Sequence, residues 1–169
     1  MKKTLAGIVL LCIMLVGASG GCADVDYLKI GFDIMKNEAV GFLKIGLAAA
    51  EVLAGLGEPA DKSPIRIWGA DGLEHQKWRY PAKGIEFDMV KRDGAFLVNM
   101  ISITTPCEYK TKQGIGIGSS AKEVQAAYPN QLNPAVNDTK LVAGTVYGGI
   151  IFGMEGGAVS SIFIGAAAE

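Results

Sequence analysis

Two stretches of this chain match each other without a gap, and that match constrains the architecture more than any other feature. Residues 45–54 read Ile-Gly-Leu-Ala-Ala-Ala-Glu-Val-Leu-Ala, and residues 117–126 read Ile-Gly-Ser-Ser-Ala-Lys-Glu-Val-Gln-Ala. Ile45, Gly46, Ala49, Glu51, Val52 and Ala54 have counterparts in Ile117, Gly118, Ala121, Glu123, Val124 and Ala126. The same order continues downstream. Gly84-Ile85-Glu86-Phe87 pairs with Gly149-Ile150-Ile151-Phe152, and Val98, Ile101 and Ile103 pair with Val159, Ile162 and Ile164. Self-similarity of this kind points to a duplicated supersecondary unit. The first copy has the longer middle, so the two share a plan but differ in their loops.

Each copy is expected to open with a short apolar strand-like piece that stops at a glycine, Gly46 or Gly118, and then enters a helix of about two to three turns. Ser120-Ala121-Lys122-Glu123 has the capping-box pattern, in which the Ser hydroxyl accepts a helix-end N–H and the Glu reaches back to the cap N–H. The first copy has Ala48 at that position and lacks the hydroxyl, a loss of about 1 kcal/mol. Val52, Leu53 and Leu56, like Val124, Ala127 and Tyr128, recur at helical spacing and should face a sheet. Pro59 and Pro129 end the helices because proline has no N–H to continue the ladder.

The remainder reads as antiparallel strands. Residues 65–68 and 73–80 flank the turn-like Gly69-Ala70-Asp71-Gly72, and Ile85, Phe87 and Met89 alternate with Glu86 and Asp88 to give one buried and one wet face. Arg92-Asp93-Gly94 and Glu155-Gly156-Gly157 turn the chain into the closing strands, 96–103 and 159–164. The expected fold is α+β: two tandem repeats, each a short helix packed on an antiparallel β-sheet. The first repeat unit spans 42–106 and the second 107–169, preceded by a signal peptide over 1–21 and a tether over 22–41. Within the tether, 29–36 reads equally as a short helix or a strand.

The leader carries its own address. Lys2 and Lys3 precede an apolar run over 5–16 that is too short for a comfortable membrane span, and the small residues 17–21 follow it. This is an export signal. Ala18-Ser19-Gly20-Gly21-Cys22 resembles a bacterial lipobox, in which the cysteine thiol takes a diacylglycerol and becomes the new N-terminus, although Ser19 stands where an aliphatic residue is usual. Ordinary secretion with a cut near Ala23 is the alternative. In the first case Cys107 is a lone thiol; in the second, an oxidising compartment permits a Cys22–Cys107 disulfide. Removing Lys2 and Lys3 from the 16 bases leaves 14 against 17 acids, a formal charge of −3. That balance, with basic residues scattered among acidic ones, argues against a nucleic-acid partner.

Catalytic and metal motifs are weak. Ser119-Ser120-Ala121-Lys122 contains Ser-x-x-Lys, but the companion motifs of penicillin-recognising enzymes are missing, and Ser120 already serves as a cap. Gly114-Ile115-Gly116-Ile117-Gly118 has the wrong spacing for a dinucleotide loop and reads as a strand entering a helix. Asp24, Asp26 and Asp33 lack calcium-loop spacing, and a single histidine with no cysteine pair makes zinc unexpected. No catalytic, cofactor-binding or metal-ligating residue is therefore assigned. Aromatic side chains are favoured interface anchors, so Trp68, His75, Trp78 and Tyr80 are the candidate partner-binding residues, with core packing the commoner fate for Trp78, Tyr80 and Phe87 and strand or surface placement for His75.

The order Gly46, Glu51-Val52, Gly57-Glu58-Pro59, Trp78-x-Tyr80, Gly84-Ile85-x-Phe87 and a closing strand from Val98 to Ile103 resembles the SmpA/OmlA outer-membrane lipoprotein unit. Its duplication resembles the β-lactamase inhibitory protein group. The second copy departs from the pattern, with Val146-Tyr147 near the position of the Trp-x-Tyr pair. The resemblance implies a non-catalytic, lipid-anchored module of the cell envelope that binds an envelope protein through its sheet face or loops and meets the membrane through the lipid on Cys22. A secreted enzyme inhibitor and a small-ligand-binding periplasmic protein are the competing expectations.

Overall fold

The structure, a computed structural model, describes residues 25–134 and 139–167. The segment expected to be an export signal, Cys22 and Asp24 lie outside the described residues.

The described chain begins with helix α1 (Tyr27–Asn37), followed by α2 (Ala49–Leu56) and two short strands, β1 (Asp61–Lys62) and β2 (Arg66–Ile67). Strands β3 (Glu74–Tyr80), β4 (Ile85–Arg92) and β5 (Ala95–Thr104) then run as a meander, helix α3 (Ala121–Ala127) intervenes, and β6 (Lys140–Thr145), β7 (Gly148–Glu155) and β8 (Ala158–Gly165) close the chain. The fold is α+β. All eight strands belong to one antiparallel sheet in the order β1-β3-β4-β5-β8-β7-β6, with β2 also paired to β3.

The boundary expected at 106/107 follows β5, but the sheet runs straight across it, because β5 pairs with β8. At that seam Ile101 opposes Ile164 and Ile103 opposes Ile162, with Ser102 opposite Phe163 between them. Apolar residues at alternate positions on the two strands thus meet on one face.

Stretches that match in sequence have matching surroundings. Gly46 N–H donates to Val98 O and Val98 N–H to Leu47 O; Gly118 N–H likewise donates to Val159 O and Val159 N–H to Ser119 O. Gly46 and Gly118 have φ of 81° and 86°, a region that favours glycine, and this redirects the chain from sheet contact into the helix. Ser120 Oγ accepts from Glu123 N–H at 3.3 Å, and Glu123 Oε2 accepts from Ser120 N–H at 2.7 Å. At the start of α2 only the reciprocal half forms, with Glu51 Oε2 accepting from Ala48 N–H at 3.0 Å. The register shifts at Asp88/Met89 between β4 and β5 and at Gly153/Met154 between β7 and β8. Each shift leaves one extra residue on the closing strand, Asn99 in β5 and Ser160 in β8.

The core lies between the helices and one face of the sheet. Val52 and Leu56 of α2, Val124 of α3 and Ile34 of α1 pack with Trp78, Tyr80, Phe87, Ile101, Ile103, Ile150, Phe152, Ile162 and Ile164. Strand β6 had no counterpart in the sequence reading, yet it pairs with β7 as β3 pairs with β4: Leu141 opposes Phe152 and Ala143 opposes Ile150, where Trp78 opposes Phe87 and Tyr80 opposes Ile85.

The segment read as a tether is largely structured. Asp26 Oδ1 caps α1 by accepting from Lys29 N–H at 3.0 Å, and the helix lies over β6 and β7 with Gly31 and Ile34 buried. The approach depends on missing side chains, since a β-carbon built on Gly31 would fall 1.8 Å from Gly148 O. Glu38, just after α1, is buried and joins three elements. Its Oε1 accepts from Ala39 N–H at 2.9 Å and Lys112 N–H at 2.8 Å, and its Oε2 accepts from Tyr128 Oη at 3.1 Å.

Candidate functional site: the open face of the sheet

Because β-strand side chains alternate, the residues that do not meet the helices project from the opposite face, and among the described residues no helix covers that face. On β3 these are His75, Lys77 and Arg79, opposite Val90, Asp88 and Glu86 of β4. Met100 and Ser102 of β5 and Phe163 of β8 continue the row across the seam. Together with Arg66 of β2 and Trp68 just after it, these residues other than Val90 line a groove of about 520 Å³.

The groove has two arms. One is charged: Glu86 Oε2 accepts from Arg79 Nε at 2.9 Å and Glu86 Oε1 lies 3.9 Å from Lys77 Nζ, while Asp61 also pairs with Arg79. Asp61 and Glu86 hold the Arg79 guanidinium more firmly protonated than usual. The other arm is apolar and half-buried, with Met100 and Phe163 side by side.

His75 forms the floor at the charged end. Its side chain is 1% exposed, with Nδ1 2.8 Å from Asp88 Oδ2 and Nε2 3.1 Å from Asp71 Oδ2. The indole of Trp68 covers the ring, stacked at 3.8 Å between centroids with 2° between planes. Leu73 N–H, donating to Asp71 at 2.9 Å, holds the Asp71 carboxyl below its ordinary range, with the hydrogen bond from His75 adding to the effect. Asp88 Oδ2 also accepts from Asn99 Nδ2 at 2.8 Å, where the β5 bulge turns Asn99 toward this face. Asp88 Oδ1 is buried without a hydrogen-bond partner.

The four candidate partner-binding residues therefore separate. Trp68 and His75 come together on the open face. Trp78 and Tyr80 point the other way, each 4% exposed: Trp78 Nε1 donates to Gln76 Oε1 at 2.8 Å, and Tyr80 Oη donates to Gly57 O at 3.0 Å. Position in β3 accounts for this, since even-numbered residues there face the helices. His75, read as a surface or strand residue, is a strand residue but a buried one. Sequence reasoning overlooked Arg66, Met100 and Phe163. Phe163, between Ile162 and Ile164, could have been assigned to the open face by alternation alone, whereas nothing local marks Met100 as its neighbour.

Ser120 and Lys122 lie at the start of α3, and the Ser120 hydroxyl is committed to the cap. Cys107 is buried with a free thiol, and burial raises its pKa. Among the described residues no group of three or more His, Cys, Asp or Glu side chains is arranged to hold a metal ion, and no helix is long and apolar enough to cross a membrane.

Fold and site together define a class: an α+β protein with one continuous antiparallel sheet, helices on one face and a grooved, mixed-polarity surface on the other. Compared with family models, curated proteins and solved structures, the chain finds no match in any of the three.

Proposed function

We propose that this is an exported, non-catalytic module of the cell envelope, lipid-anchored through Cys22, that binds a protein partner on the open face of its sheet. The observation that carries the reading is the uncovered face itself, where the half-buried Met100 and Phe163 adjoin the charged residues Lys77, Arg79 and Glu86. An apolar centre beside a polar rim is the anatomy of a protein-recognition surface, and aromatic and methionine side chains are enriched at such centres.

His75 is better suited to holding this surface than to catalysis. Both ring nitrogens face carboxylates and the indole covers the ring, so the imidazole has no free edge for a substrate proton. The matched hydrogen bonds around Gly46 and Gly118, and the reciprocal bonds of Glu51 and Glu123, support an origin by tandem duplication of one helix-and-three-strand unit. That origin fits the resemblance to the SmpA/OmlA unit and the β-lactamase inhibitory protein group.

The test passes an envelope extract over the immobilised processed protein beside its Met100→Glu and Phe163→Glu variants, with folding checked by circular dichroism. A specific partner should be retained by the parent and weakened by roughly thirtyfold in either variant. Equal retention by all three proteins, or none above control, would count against the reading. Mass spectrometry of the processed N-terminus tests the anchor separately, and an unmodified terminus near Ala23 would remove it. Titration against β-lactamases and envelope peptidases tests the inhibitor alternative, which flat activity throughout would eliminate.

A further inference from the structure

Helix α1 has a flank that its contact with the sheet does not use. Gly31 and Ile34 are buried against the sheet, yet Leu28 and Phe32 are 45% and 52% exposed and Val25, just before the helix, is 51% exposed. At about 100° per residue these three fall on one side of the helix, and Lys36 and Lys29 come next around it. The β6–β7 turn extends the same surface, with Val146 at 41% and Tyr147 at 63% exposure. The Phe32 ring lies 3.6 Å from where a Gly148 β-carbon would sit, so the helix flank and the turn adjoin. Large apolar side chains gathered in this way on a small protein mark a surface that meets something.

We propose that this patch is a bilayer-contact surface, resting on the headgroup region of the membrane that the N-terminus is bound to. The choice of a lipid occupant, which rests on the reading of Cys22 as the acylated end, has two supports. Cys22 lies three residues before Val25, a span of at most roughly 11 Å, so an acyl chain on its thiol keeps the patch at headgroup depth. The chemistry also fits. Leu28 and Phe32 provide an apolar edge, Tyr147 an aromatic ring with a polar tip, and Lys29 and Lys36 have no ion-pair partner among the described residues. Lysines beside an apolar helix flank lay their stems along the acyl boundary and direct their ammonium groups to anionic headgroups. Because α1 lies on the helix-covered side of the sheet, this contact leaves the open face directed away from the bilayer.

The test uses the processed protein, purified from bacterial membranes and reconstituted in phosphatidylethanolamine–phosphatidylglycerol vesicles with brominated acyl chains. The indole introduced by Tyr147→Trp should be quenched and blue-shifted, while the emission of Trp68 and Trp78 in the unsubstituted protein should not. Adding Leu28→Ser and Phe32→Ser should abolish the quenching. If that pair weakens folding, Val146→Ser in the turn serves instead. A protein held on the vesicle whose introduced indole is not quenched overturns the contact surface and leaves the anchor intact. If mass spectrometry of the same preparation finds Cys22 unacylated, the anchor fails on its own, and quenching with excess vesicles still decides the patch. A dimer in solution that Phe32→Ser dissociates would equally overturn it, because a second copy would then be the occupant.

Discussion

Trp68 and His75 stack face to face, 3.8 Å apart and 2° from parallel, on the open face of the sheet. Beneath the indole, the imidazole bridges Asp71 and Asp88. Removing one partner of a buried hydrogen bond leaves the other short of a partner in a dry site, which costs about 1–3 kcal/mol. His75→Ala should therefore lower stability by that amount in urea unfolding. Trp68 should lose its stacking partner, so its fluorescence should shift red before the global transition. An unchanged unfolding midpoint would show that the bridge is not a stabilising element.

Helix α1 should detach on a one-carbon change. A methyl group at Gly31 cannot coexist with Gly148 O at the present spacing, so Gly31→Ala should push the helix off β6 and β7 and cost roughly 2–3 kcal/mol despite alanine's better helix propensity. Limited proteolysis should then cut within α1 at rates well above those of the parent. Resistance equal to the parent's would mean that the close backbone approach is not what holds the helix.

Tyr128 connects α3 to Glu38, and burial raises its phenol above the ordinary value of 10.0. A folded-state pKa above the unfolded one means that the contribution is fully present below the unfolded value and is lost as pH rises toward the folded one. Stability should thus decline on going above about pH 10, where the unfolded chain ionises first. Tyr128→Phe should flatten that alkaline decline and cost about 1–2 kcal/mol at neutral pH, because Glu38 Oε2 loses its donor. Unfolding midpoints measured from neutral to alkaline pH check both effects.

The two helix starts differ by a single hydroxyl. Ala48 has an extended backbone like that of Ser120, and Glu51 already supplies the reciprocal bond, so Ala48→Ser should raise stability by about 0.5–1 kcal/mol and Ser120→Ala lower it similarly. Hydrogen bonds from the Ser120 backbone N–H and then its hydroxyl hold the Glu123 carboxyl below its ordinary value. The stability from this depressed group is present above the ordinary glutamate value and is lost as pH falls through the lowered one. Glu123→Gln should therefore make the acid limb of the stability profile shallower. Identical acid limbs in parent and variant would contradict the assignment.

Much of the fold was legible because its signals are local. The capping box, the glycines at 46 and 118, the turns at 93–94 and 156–157 and the alternation through 85–89 each state their structure within a few residues. The candidate site was legible only in part. Alternation assigns Trp78 and His75 to opposite faces of β3, but aromatic content drew them into one set. Strand β6 passed unread because its alternation is interrupted by small residues, Ala143 and Gly144, that suit it to the crossing of α1 rather than to a conspicuous apolar pattern.

By itself the sequence determined where α2 and α3 start and stop, the turns at 93–94 and 156–157 and the alternation through 85–89, since hydrogen bonds and periodicities of 2 and 3.6 act between near neighbours. Only the tertiary structure decided that β5 would join β8 in one sheet, that α1 would lie on β6 and β7, and that Glu38 would meet Tyr128 across 90 residues. Those outcomes depend on which surfaces fit when distant parts of the chain are brought together. A backbone contact between two glycines, or a carboxylate that meets a phenol from a distant helix, has no local pattern to announce it.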